Sequence, residues 1–140
     1  MAALVCESQF GPAFNVYGDV NLVEIGGVAP TNILRNSQDA RVDFSITTSG
    51  AGTGSIGGKL RLNAYFEIMG TGLDRDFGPV EVALTPGASP INYTGHISIA
   101  RNTVAEGTYK VVGVVSYQDM TSNPGPVAAF ADLGLVRVYA

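Results

Sequence analysis

The sequence contains no tryptophan, one cysteine and one histidine in 140 residues. A lone Cys6 cannot close an internal disulfide, so a disulfide-stapled scaffold is excluded. Its thiol reads as inert and partly buried, with cross-linking of two chains as the alternative. Charge is scarce too: 14% of residues are charged, against about 25% in an average soluble domain. The 8 basic and 12 acidic residues are scattered singly and sum to −4. No basic stripe exists to meet a phosphate backbone, which argues against nucleic acid as a partner. No apolar run approaches the roughly 20 residues of a membrane-spanning helix. Met1-Ala2-Ala3-Leu4-Val5-Cys6-Glu7 lacks the basic start and the longer apolar run of a signal peptide. The expected location is therefore the cytoplasm, or the outside by a signal-independent route.

What is present is strand and turn. Lys59–Met69 alternates strictly, with Leu60, Leu62, Ala64, Phe66 and Ile68 on one parity and Lys59, Arg61, Asn63, Tyr65 and Glu67 on the other. This is a strand with one buried and one wet face. Residues 41–48 repeat the pattern with Val42, Phe44 and Ile46 inward. Further strands are expected over 14–25, 79–84, 91–99, 108–117 and 129–139, with a bulge at Gly95. Eighteen glycines and seven prolines punctuate these runs, at Gly26-Gly27, 50–58, 70–79, 85–90, 102–107 and 123–126. Turn signals at this spacing, without a helical stripe, predict one all-β domain over 1–140, a sandwich or barrel.

Ile97-Ser98-Ile99, a short loop, then Glu106-Gly107-Thr108-Tyr109 and a valine-rich strand resemble the E–F region of immunoglobulin-like domains. In that family a tyrosine near the start of strand F bonds back to the preceding loop, and Tyr109 takes that structural place. The resemblance implies an antiparallel sandwich of about seven strands: A from 14–25, B 41–48, C 59–69, D 79–84, E 91–99, F 108–117 and G 129–139. Without a B–F cysteine pair or a tryptophan, the chain resembles the disulfide-free, mostly bacterial branch. Its members serve as spacers, adhesion or pilus modules, accessory domains and particle components. An eight-stranded jelly roll is the alternative fold.

Each candidate for chemistry has a plainer competitor. Gly52-Thr53-Gly54-Ser55-Ile56-Gly57 matches G-x-G-x-x-G but runs into a strand, not the helix whose N-terminus would bind phosphate. It reads as a flexible loop able to order on a partner. Asp74 and Asp76 offer two carboxylates to Ca²⁺, which wants six to eight oxygens, and Arg75 lies between them. An exposed turn explains them better. His96 faces outward, and pairing it with distant Cys6 leaves nucleophilic geometry to chance. Asp43 and Glu67 could face each other as a carboxylate pair, but Arg41, Lys59 and Arg61 make solvated ion pairs the simpler reading. Asn92-Tyr93-Thr94 is a glycosylation sequon. Tyr65, Tyr93 and Tyr117 could stack on sugars or pack in the core. No catalytic residue, metal or cofactor is expected.

Two functions remain. In the first, a non-enzymatic structural module self-associates through edge strands A and G and an N-terminal arm, residues 1–13, that reaches a neighbour. Phe10, Phe14, Leu133, Leu135 and Tyr139 are the expected contacts of this homo-oligomer or larger protein assembly. In the second, a monomeric module binds a carbohydrate-type ligand with the loops 49–58, 85–90 and 118–127 at one pole.

Overall fold

A computed structural model describes residues 2–25 and 31–140; the turn expected at Gly26-Gly27 lies outside them. Seven long strands cover the expected segments, with β7 and β10 starting earlier, inside stretches expected to be turns: β3 (Asn15–Glu24), β5 (Ala40–Ser49), β6 (Lys59–Ile68), β7 (Arg75–Ala83), β8 (Ile91–Ile99), β9 (Gly107–Gln118) and β10 (Pro124–Tyr139). Three short ones join them: β1 (Ala2–Ala3), β2 (Val5–Ser8) and β4 (Ile33–Arg35). They form two sheets, β1-β3-β5-β8 and β2-β10-β9-β6-β7, with β4 added beside β10.

Alternation decides which side chains meet between the sheets. Val20, Leu22, Val42, Phe44, Ile46 and Ile97 project from the smaller sheet onto Leu60, Leu62, Phe66, Tyr109, Val111 and Val115 of the larger one. Burying a side chain of this size stabilises the fold by about 1.5–3 kcal/mol. Gly95 sits in unbroken register opposite Phe44, so it marks no bulge. It marks close approach: a Cβ there would lie 2.6 Å from a methyl of Leu62 and 3.2 Å from Val82. The Tyr109 hydroxyl donates to the Ala105 carbonyl at 2.7 Å, the tyrosine-corner bond that ties the loop before β9.

Two expectations are corrected, on strand G and on the N-terminal arm. Strand D corresponds to β7, which pairs with β6 in the larger sheet. The short β6–β7 hairpin holds it there, with the Ile68 amide donating to the Asp74 carboxylate at 2.9 Å. Strand G is bare over only part of its edge. β2 covers β10 from Val127 to Phe130, and β4 runs parallel to it at Arg137–Tyr139. The N-terminal arm is therefore not free to reach a neighbour. β1 pairs with β3, β2 pairs with β10, and buried Leu4 sits at the seam between sheets. The outer edge of the larger sheet, β7, carries Pro79, which has no amide to offer another strand.

Candidate functional site

The outward half of each strand decides what the sandwich shows to its surroundings. On the smaller sheet, outward positions from Asn15 to Asn21 on β3, Arg41 to Ser49 on β5 and Asn92 to Ser98 on β8 all carry hydrogen-bonding groups. Register sets them in rows. Asn21, Asp43 and His96 form one row; Asp19, Ser45 and Thr94 form the next; Tyr17, Thr47 and Asn92 form the third. The strands hold these groups at fixed spacing, so a ligand would meet a largely ordered array.

A concavity of about 700 Å³ opens on this face. Asn21, Asp43, Ser45, Thr94 and His96 wall it from three strands, with Arg41, and Val80, Glu81 and Val82 of β7 close it beyond the β8 edge. Arg41 Nε donates to both oxygens of Asp43, at 2.8 and 3.1 Å. Glu81 accepts from Lys59 at 2.6 Å. Asn21 Oδ1 is buried and has no hydrogen-bond partner among the described residues. An unpaired buried carbonyl costs about 1–3 kcal/mol, which a donor would recover. The chemistry on offer is a mixture of donors and acceptors, with one guanidinium balanced by an adjacent carboxylate.

The loops 50–58, 84–90 and 119–123 do meet at one pole. The Gly87 amide donates to the Thr53 carbonyl at 2.9 Å, the Thr53 hydroxyl donates back to Gly87 at 3.0 Å, and the Gly50 amide donates to Ser89 Oγ. The Gly-rich loop has internal structure: Ala51–Gly54 forms a 3₁₀ turn, and the Gly52 and Thr53 carbonyls are already engaged. Asp119 organises the last loop by accepting from the Thr121 and Asn123 amides, both at 2.9 Å. The Asn123 amide, foremost, and then the Thr121 hydroxyl hold its carboxyl below the usual carboxylate range. A smaller depression of about 430 Å³ lies here, bordered by Gly57, Leu84, Pro86 and Met120.

The remaining candidates scatter. Asp74 is committed to the Ile68 amide and Asp76 pairs across to Tyr65. Among the described residues no group of three His, Cys, Asp or Glu side chains gathers to hold a metal. Asp43 and Glu67 stand on different sheets, as do His96 and Cys6, so neither pair faces the other. Tyr117 is a core residue whose hydroxyl donates to the Gly57 carbonyl at 2.8 Å. Tyr65 is exposed, but on the larger sheet.

Of the expected contact residues, Phe14 is 1% exposed, packed edge-on to Phe10 and tilted against Tyr117, which withdraws it from any partner. Leu133 packs against the core, and Tyr139 accepts a bond from Arg35 Nε at 3.0 Å. Phe10 and Leu135 stay exposed. Sequence reasoning did not bring Asn21, Ser45, Thr94 and Glu81 together as one site. Each is an ordinary polar residue on an alternating strand, and only register brings them together.

No protein-family description matches this chain, and no curated protein matches it. Solved structures do. The chain is similar to the C-terminal domain of wzt, with a TM-score of 0.61 and 10% identity, covering 98% of this chain and 78% of that one. A Niemann-Pick type C2 protein from Japanese carpenter ant aligns at a TM-score of 0.48 and 8% identity, covering 96% of this chain and 99% of that one. With the topology above, the first likeness defines the class: an all-β, immunoglobulin-like sandwich without a disulfide.

Proposed function

We propose that this chain is a non-catalytic binding module that takes a polyhydroxylated, carbohydrate-type ligand on the outer face of β3, β5 and β8. One observation carries the reading: a concavity of about 700 Å³ is walled from three strands by hydroxyl, amide, carboxylate, imidazole and guanidinium groups. A sugar hydroxyl both donates and accepts, so it matches a wall that does the same. Exposed Tyr17 adds a ring at one end of the face. Asp19 and Asp43 outnumber Arg41 there, which disfavours phosphate. The sheet face, and not the loop pole, is the first candidate, because the pole's Asp119 and Thr53 already serve their own loops.

The test is calorimetry on glycans selected from an array, with Ser45→Ala and Thr94→Ala beside the parent protein. One neutral hydrogen bond contributes about 0.5–1.5 kcal/mol, so each variant should weaken binding roughly two- to tenfold. Absence of any glycan hit, or full affinity in both variants, contradicts the reading.

A second reading, self-association, is supported by the opposite surface. Val5, Tyr65, Phe130 and Leu135 are exposed, and Val112 and Val114 half-buried, on the outer face of the larger sheet. The occupant is a second copy. A two-fold axis crossing β6 near Ala64 would set Arg61 of one copy opposite Glu67 of the other, flanking apolar rows. This moves self-association from strand edges to a sheet face.

A further inference from the structure

We infer that the groove on β3, β5 and β8 receives an extended chain of several sugar units lying along β8, and not a single ring. The inference rests on the carbohydrate reading above and names the size class of its ligand. Beside the first concavity lies a second, of about 470 Å³, bordered by Ile25, Asp39, Ser98 and Ala100. The two share Arg41 and His96 as common wall. Together they follow β8 from Thr94 to Ala100. At about 3.3 Å per residue that is on the order of 20 Å, longer than one sugar ring needs.

The junction has the chemistry of a continuous path. Arg41 Nε is engaged by Asp43, while its two Nη groups have no partner among the described residues and Arg41 lines both concavities. His96 Nδ1 and Nε2 supply a donor and an acceptor at the same point when the ring is neutral. The far end is fixed. The Arg101 backbone amide donates to Asp39 at 2.9 Å and its guanidinium reaches the same carboxylate at 3.4 Å. Asp39 is thereby held as an anchored carboxylate, its pKa lowered first by that amide and then by the guanidinium. Ser98, outward on β8 and opposite Arg41, borders the second concavity and not the first, so its hydroxyl is offered to units that enter the second.

Ladders of one to eight units of gluco-, manno-, xylo- and galacto-oligosaccharide, titrated by calorimetry, test this. Affinity for the bound series should climb by tenfold or more from one unit to the length that fills both concavities, then level off. Ser98→Ala should cut the gain from added units two- to tenfold and leave the shortest ligands unchanged, while Thr94→Ala weakens every length. Circular dichroism of each variant reports whether the exposed substitutions leave the fold intact. Equal affinity for one unit and six overturns the chain inference and leaves the binding reading standing. No binding at any length in any series overturns both.

Discussion

The two outer faces of this sandwich are built by one rule and end in opposite surfaces. Both sheets alternate, and both send their apolar half inward to a shared core. Outward, β3, β5 and β8 show amides, hydroxyls and carboxylates, whereas β2, β10, β9 and β6 show Val5, Phe130, Val114 and Tyr65. The inward half is bound by packing and the outward half is not, so only the outward half is free to specialise. The division is one of degree, because the larger sheet also sets Lys59, Arg61, Glu67 and Lys110 outward beside those apolar groups.

The comparison breaks most severely from within. Phe44 is buried behind the polar face and supports the floor of the groove. Phe44→Ala should cost about 3–5 kcal/mol in denaturant unfolding and weaken glycan binding along with stability. A loss of stability with unchanged affinity would show that the polar face does not depend on the core beneath it. On the apolar face, Phe130→Ser together with Leu135→Ser should leave glycan affinity unchanged and lower any concentration-dependent mass seen by light scattering. A parent protein that stays a 14.5 kDa monomer at high concentration would remove the self-association reading.

A smaller change should spare both faces. Tyr109→Phe deletes only the bond to Ala105 and should lower stability by about 0.5–1.5 kcal/mol, with binding unaltered. The smallest effect is set by pH. Asp39 and Asp119 have folded-state pKa values below their ordinary ones, through the amides of Arg101 and Asn123 respectively. The stability they contribute is present above the ordinary carboxylate pKa of about 4 and is lost as pH falls through the lowered values. Amide protection factors near Arg101 and at Thr121 and Asn123, corrected for the intrinsic slowing of exchange in acid, should therefore fall before those of the core strands.

Much of the fold was legible because alternation is a local signal. Lys59–Met69 and 41–48 can be read residue by residue, and Glu106-Gly107-Thr108-Tyr109 marks the corner before β9. β1, β2 and β4 are two to four residues long, too short for a period to register. The partner of β7 was not legible, since pairing is settled by hydrogen bonds between distant segments. The site was the least legible part. Asp43 and His96 attracted attention singly, but their alignment with Asn21 exists only in the register of three strands.

The decisive measurement is a nitrogen–proton correlation spectrum of the labelled protein, titrated with the tightest oligosaccharide from the ladders. Resonances of Asn21, Ser45, Thr94, His96 and Ser98 should shift together, while those of Val112, Val114 and Phe130 stay in place. Shifts confined to Gly57, Asp119 and Met120, or to the apolar face, would contradict the assignment of binding to the polar sheet.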